Sequence, residues 1–299
     1  MKIKKSNLFL YSGTLLLVIK TVLSVSKIVP YSDIMDNTLA VLGALCMILS
    51  IIIQQYSGKV LLIYAMFVGI TTYNALITGN NALAVTVITC PAIRKTDLKT
   101  YIQFIFRLQS ILVICHTLIA IIGSLIGVFN IVQNIGGITR YDFGMQHPNS
   151  FAALAFNLMI MGIWLNWSRI KTKHIFLMVL GADILYYFCK TRTNFIAMLA
   201  VIGLVFVCGV KHKFIRFAGK IATVIIPFLT VAMGIAIILY SKGNSVVLIL
   251  NEALNARISL GAYALAHYKF TLFGQNMAFL YTGTTWDPIW KLNGFTFDC

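Results

Sequence analysis

The chain has 299 residues, of which 59% are hydrophobic and 11% are charged, and its formal net charge is +16. Soluble globular domains carry about 25% charged residues, so this composition excludes an ordinary soluble fold. Apolar runs of roughly 17–25 residues match the ~30 Å hydrocarbon core of a bilayer, whereas β-barrel strands would alternate over ~10 residues. The sequence therefore predicts an all-α, polytopic membrane protein. Its positive charge indicates basic loops at a membrane surface, and no nucleic-acid-binding motif accompanies it.

We predict a single membrane domain, a helical bundle with about nine spans. The spans lie near residues 8–27, 37–54, 60–78, 82–93, 101–125, 151–167, 174–189, 194–210 and 220–240. The fourth run contains Pro91 and is short for a crossing, so a tilted helix, a locally thinned bilayer and a partly re-entrant segment all stay open. The first run is too long for a signal peptide and no small-residue cleavage site follows it, so we count it as a span.

Basic residues predict the orientation of these spans. With the N-terminus in the cytoplasm, the inner segments hold Lys2, Lys4, Lys5, Lys59, Arg94, Lys95, Lys99, Arg169, Lys171, Lys173, Lys211, Lys213, Arg216 and Lys220. The outer segments hold fewer: Lys27, Arg140, Lys190, Arg192, Lys242, Arg257, Lys269 and Lys291. Because short cytoplasmic loops are enriched in Lys and Arg, this bias places the outer loop 126–150 and the outer segment 241–299 outside a plasma membrane.

The most polar window of the chain, residues 139–150, falls in that outer loop. Its Gly144 permits a tight or left-handed turn, and Pro148 suits the first turn of a helix that begins near Asn149. Outer arginines run against the usual charge bias. They either anchor the loops to lipid head groups or bind an anionic ligand, to which the planar guanidinium is well suited.

Three motifs resemble the bacterial polysaccharide polymerases of the Wzy type, which are related to the O-antigen ligases. They are Arg140-Tyr-Asp-Phe-Gly-Met-Gln-His147-Pro148-Asn149, Tyr186-Tyr-Phe-Cys-Lys-Thr-Arg192-Thr-Asn-Phe, and Leu254-Asn-Ala-Arg257 followed by Leu272-Phe-Gly-Gln275. The resemblance extends from about residue 60 to the end and includes the order of the motifs. It implies a membrane glycosyltransferase that joins undecaprenyl-pyrophosphate-linked repeat units into a capsular or surface polysaccharide. Flippase and chain-length regulator proteins are the implied protein partners.

The same resemblance implies the site residues. The catalytic set is Arg140, His147, Arg192 and Arg257, and the substrate-binding set is Asp142, Asn149, Lys190, Glu252 and Gln275. Arginines would neutralise the charge that develops on a lipid pyrophosphate leaving group. We expect neither a cofactor nor a metal, since no acidic residues or histidines have coordination spacing. Asp142, His147 and Glu252 are all admissible as the general base, and His147 is favoured because it titrates near neutral pH.

Two rival classes remain. One is a transporter or flippase of a lipid-linked or anionic substrate, although the sequence lacks the internal repeat on which many transporters are built. The other is a structural or scaffolding subunit with no chemistry.

A further prediction concerns the end of the chain, at Asp298-Cys299. In the similar polymerases an acidic residue in this region is followed by more membrane helices, so we expect the 299 residues to be an incomplete or prematurely ended product.

Overall fold

The computed structural model describes residues 5–135, 137–210, 212–254, 256–268 and 271. These residues fall into two compact units, one that ends at Phe206 and another that begins at Val207. In the first unit the helices are α1 (Lys5–Leu23), α2 (Asp33–Ile53), α3 (Gly58–Thr78), α4 (Ala82–Ile93), α5 (Leu98–Leu125), α6 (Pro148–Asn166), α7 (Thr172–Cys189) and the start of α8 (Arg192–Val210). In the second unit they are α9 (His212–Ser241), α10 (Ser245–Ala253) and α11 (Arg257–His267).

Each predicted span corresponds to one of the helices α1 to α9. Within the described residues, seven helices are long and apolar enough to cross a membrane, while α4 and residues Arg192–Cys208 of α8 are apolar but shorter. The prediction of a helical, multi-pass membrane protein is therefore confirmed.

Polar side chains fix where several helices begin. The Ser32 hydroxyl accepts a hydrogen bond from the backbone N–H of Met35, and the Asp97 carboxylate accepts one from Thr100 N–H at 2.9 Å. Such caps satisfy N–H groups that a first helical turn leaves unpaired. At the other end of a helix, α3 stops at Gly79, whose φ of +71° a glycine adopts without strain.

Three buried clusters connect the helices of the first unit. Leu10, Met47, Ile88 and Tyr101 join α1, α2, α4 and α5, and their side chains are at most 5% exposed. A second cluster packs Met145 of the loop before α6 against α1, α5 and α6. A third cluster joins α7 and α8. The long helices are thus held together by apolar packing that also anchors one loop.

Helix α4 runs alongside α2 and reaches both of its ends. At one end Asn81 Nδ2 donates to Asn37 Oδ1 at 3.4 Å, and at the other Gln54 Nε2 donates to the carbonyl of Ala92 at 2.7 Å. The short helix therefore covers most of the length of a helix that is itself long enough to cross a bilayer.

The structure departs from the sequence prediction in two places. Helix α1 ends at Leu23, so the residues up to position 27 form a loop where a continuous span was expected. In addition, the predicted outer loop contains a two-stranded antiparallel sheet, β1 (Val132–Ile135) and β2 (Ile138–Tyr141), in which Gln133 lies opposite Arg140. The all-α prediction thus holds for the bundle but missed this hairpin.

Candidate functional site

Two loops of the first unit pair through their backbones at one end of the helices. Lys27 N–H donates to the carbonyl of Gly144 at 2.9 Å, and Gln146 N–H donates to the carbonyl of Val25 at 2.7 Å. We call this region the loop end, comprising residues 24–32, 126–135, 137–150 and 190–192. Because α5 leads into it and α6 leaves from it, the polar window identified in the sequence is fixed to the helical bundle.

Asp142 lies at the centre of the loop end. Its side chain is 0% exposed and forms an ion pair with Lys27, whose side chain is 26% exposed. The second carboxylate oxygen, Oδ1, accepts the N–H of Gly144 at 2.8 Å. Both carboxylate oxygens therefore have partners within the protein, and the carboxylate stabilises the conformation of the loop.

Gly144 sits where a larger residue has no room. Its φ is +83°, and an added Cβ would lie 2.6 Å from Cβ of Ala120 and 3.1 Å from Cε1 of His116. The His116 ring lies within α5 and shares a hydrogen bond of 2.8 Å between Nε2 and the Ser26 hydroxyl. The expected turn at Gly144 is confirmed, and it is pressed directly against the bundle.

His147 ends the loop and caps α6. Its Nδ1 accepts the backbone N–H of Asn149 at 3.1 Å, and Pro148 follows in the first turn of the helix, as the sequence predicted. Since that lone pair is engaged, the neutral ring carries its proton on Nε2 and presents a donor there. Burial and then the positive charge of Arg140 lower the pKa of His147, while Asp142 acts in the opposite direction.

Three basic residues at the loop end lack an ion-pair partner. Lys20 pairs with Asp36 at 2.9 Å and Lys27 pairs with Asp142, but Arg140, Lys190 and Arg192 form no ion pair within the described part of the chain. The Nε atom of Arg140 is buried and has no hydrogen-bond acceptor there. A buried donor without an acceptor is costly, so this guanidinium is suited to an anion supplied from outside.

Aromatic side chains contact Lys190 and connect β2 with α7. Lys190, in a left-handed conformation with φ of 52°, places its Nζ 4.6 Å from the ring centroid of Tyr187. Tyr141 of β2 meets Phe188 of α7 edge to face at 5.3 Å. Asn194 Nδ2 contacts the carbonyl of Asn149 at 3.4 Å, which links α8 to α6. The first two sequence motifs therefore meet at the loop end.

The third motif lies in the second unit, where its turn is well defined. Exposed Glu252 belongs to α10, and exposed Arg257 is the first residue of α11. Across the turn that joins them, the Asn251 side chain accepts the N–H of Ser259 at 2.8 Å. Gln275 lies outside the described residues. The structure thus brings together Arg140, Asp142, His147, Asn149, Lys190 and Arg192 in the first unit, and it describes Glu252 and Arg257 in the second.

Sequence reasoning missed three contributors to the loop end. Lys27, Ser26 and Gln133 were not among the candidate residues. Lys27 forms the ion pair with Asp142, and Ser26 forms the hydrogen bond with His116. Gln133 Nε2 donates to the carbonyl of Gln146 at 2.9 Å. A cation that follows an apolar run shortly before Pro30 was the available signal for a loop at Lys27. Among the described residues, no group of three or more His, Cys, Asp or Glu side chains is placed to hold a metal ion.

No family model, curated protein or solved structure matches the chain.

Proposed function

We propose that the chain polymerises undecaprenyl-pyrophosphate-linked oligosaccharide repeat units into a capsular or surface polysaccharide at the outer face of the plasma membrane. The observation that carries this proposal is the set of basic side chains without an ion pair, Arg140, Lys190 and Arg192, at one end of a membrane-type bundle. A lipid pyrophosphate is an anion that resides at such a surface. The resemblance of the motifs to the Wzy-type polymerases adds the reaction class.

The proposed reaction is a glycosyl transfer. An acceptor hydroxyl oxygen bonds to the anomeric carbon of the donor, the bond from that carbon to the pyrophosphate breaks, and the hydroxyl proton passes to a base. The arginines stabilise the negative charge on the departing pyrophosphate, and preorganised cations in a partly dry site are effective at this. No metal or other cofactor takes part in the proposed step.

In this proposal, neither His147 nor Asp142 acts as the general base. The free Nε2–H of His147 donates a hydrogen bond to the pyrophosphate or to a sugar oxygen, because its Nδ1 lone pair is used by Asn149. Asp142 is buried against Lys27 and supports the loop. Of the three admissible bases, Glu252 is the one whose carboxylate is exposed.

We also propose nine crossings with the N-terminus in the cytoplasm, which puts the loop end outside the cell. The proposal is supported by the charge bias and by the way α4 reaches both ends of α2. A membrane-impermeant thiol reagent added to intact cells should label single cysteines placed at Ile138 but not at Lys171, in a background without native cysteines. Equal labelling of the two positions would contradict this topology.

The catalytic proposal is tested by giving the purified full-length chain a defined undecaprenyl-pyrophosphate-linked oligosaccharide and resolving products by length. A ladder of longer products is expected. Arg140→Ala and Arg192→Ala should each reduce it roughly ten- to a hundredfold, the worth of one charge-assisted contact of ~1.5–3 kcal/mol. Lysine should restore little, since a point charge does not reproduce the planar fork.

Arg169→Ala is the matched control, because Arg169 follows α6 at the end opposite His147 and should be dispensable. A variant lacking both Arg140 and Arg192 that still makes long chains would refute the role of the arginines. Transfer of the lipid-linked unit across a vesicle membrane without chain growth would refute polymerisation and favour the flippase alternative. We further propose the flippase and chain-length regulator proteins of the same pathway as partners, to be tested by co-purification from membranes.

A further inference from the structure

A groove between α1 and α5 lies far from the loop end. Its volume is about 470 Å³, and its lining includes Leu15 and Ser12 of α1 with Gln103 and Arg107 of α5. Each helix contributes lining residues at the i, i+3, i+4 and i+7 spacing that places side chains on one face. Below them Tyr11 meets Phe104 edge to face at 4.8 Å. The groove therefore combines an apolar floor with polar side chains along its sides.

The depth of Arg107 along α5 determines which part of a membrane it meets. This helix has 28 residues and is a candidate span from Leu98 to Leu125. At 1.5 Å per residue it is ~42 Å long, which exceeds the ~30 Å hydrocarbon core by ~6 Å at each end. Arg107 follows Leu98 by nine residues, so its backbone lies ~7 Å inside the hydrocarbon boundary. From that depth its long side chain reaches the lipid phosphates.

Arg107 has no partner of its own in the described part of the chain, where it forms neither an ion pair nor a hydrogen bond. Asp97, the acid that precedes α5, accepts hydrogen bonds from the side chain and backbone of Thr100, and these lower its pKa, with Lys99 adding to the effect. Its carboxylate is thereby engaged at the start of its own helix, and it forms no ion pair with Arg107. A guanidinium at membrane depth with no acid beside it calls for an external anion.

The charge of Arg107 favours a lipid over another apolar helix as the occupant of the groove, because a lipid brings a phosphate to the membrane surface that this side chain can reach. A phospholipid can place its phosphate beside Arg107 while one acyl chain follows Leu15 and Phe104 toward the membrane centre. A zwitterionic head group would leave the Arg107 charge in place, whereas one net negative charge neutralises it.

We propose that this groove binds one net negatively charged phospholipid, with the Arg107 guanidinium and the Gln103 amide on its phosphate. The site is independent of the loop end, since α5 continues for 18 residues beyond Arg107, or ~27 Å, before it reaches that loop. Leu8 and Leu15, which line the groove along α1, are exposed, so the groove is open at its surface and a lipid can enter it from the side.

Native mass spectrometry of the purified full-length chain tests this proposal. Phosphatidylglycerol and phosphatidylcholine with the same acyl chains are titrated separately. The wild-type chain should retain one phosphatidylglycerol with an affinity roughly tenfold above that for phosphatidylcholine, and Arg107→Gln should remove that preference, since bonds to a charged partner are about twice as strong as neutral ones. Arg169→Gln, at an exposed arginine in a helix connection, is the matched control and should keep the preference.

Three outcomes would overturn the proposal. The first is full retention of phosphatidylglycerol by Arg107→Gln, and the second is equal affinity for the two lipids. The third is displacement of the lipid by millimolar inorganic phosphate, which would indicate a site for free anions. If Arg107→Gln does not fold, Ser12→Phe gives the answer, because it fills the groove and keeps the arginine. Loss of binding in Ser12→Phe supports the proposal, and unchanged binding refutes it.

Discussion

The ion pair between Lys27 and Asp142 leads to a prediction about stability in which the two partners differ. Removing Lys27 leaves a carboxylate that is 0% exposed without a counter-charge, whereas removing the Asp142 charge leaves an ammonium whose side chain is 26% exposed. The second group can recover water and the first cannot. Lys27→Met should therefore destabilise the protein more than Asp142→Asn does.

The expected magnitudes follow from burial. An uncompensated buried charge costs ~3–5 kcal/mol, so we assign that range to Lys27→Met. Asp142→Asn keeps an oxygen that can accept the Gly144 N–H and leaves Lys27 partly hydrated, so we expect ~1–2 kcal/mol. The double variant should resemble Asp142→Asn, because the amide removes the buried charge that makes Lys27→Met costly. Such a difference is large for a domain stabilised by ~5–15 kcal/mol.

Equilibrium unfolding in detergent micelles, followed by tryptophan fluorescence at pH 7.5, measures this difference. Asp36→Asn is the control, since the other ion pair has side chains that are 19% and 26% exposed and should contribute at most ~1 kcal/mol. Two results would contradict this reasoning: Asp142→Asn proves as destabilising as Lys27→Met, or the double variant shows the sum of the two losses. Either would mean that burial of the carboxylate does not determine how much these substitutions lower the free energy of unfolding.

Two further predictions concern the same loop. Gly144→Ala should cost more than Gly137→Ala in the same unfolding assay: both glycines have a positive φ, but only at Gly144 would the new Cβ meet an atom, at 2.6 Å from Ala120. Equal losses would mean that the close approach does not matter. Because burial lowers the pKa of His147, the unfolded chain binds a proton first as the pH falls, so stability should decrease below pH ~6.5. His147→Asn keeps a capping side chain that does not titrate and should flatten this dependence, and an unchanged pH slope would argue against titration of the cap.

Much of the architecture was predictable because a membrane helix can be recognised from a single continuous stretch of sequence. A bilayer leaves no water to satisfy a backbone, so each crossing must be an apolar helix of nearly fixed length. The fourth apolar run, which is shorter, also became a helix, α4, with the predicted bounds, Ala82–Ile93, despite its internal proline. The turn at Gly144 and the helix start at Pro148 were predictable for a similar reason, since both depend on backbone preferences of single residues.

The features that the sequence left undetermined depend on pairs of residues far apart in the chain. Lys27 and Asp142 are 115 positions apart, and whether a carboxylate is a free ligand or a buried counter-ion is decided by what folds over it. The apolar run predicted a first span that continues to residue 27. The helix ends earlier because the backbone of residues 25–27 pairs with that of residues 144–146, and hydropathy carries no information about such a long-range contact. The same limit applies to His147, whose residue type suggested a base. Only the tertiary structure shows that its Nδ1 accepts the N–H of Asn149, so the neutral ring carries its proton on Nε2. Burial and the neighbouring Arg140 then lower the pKa of the ring.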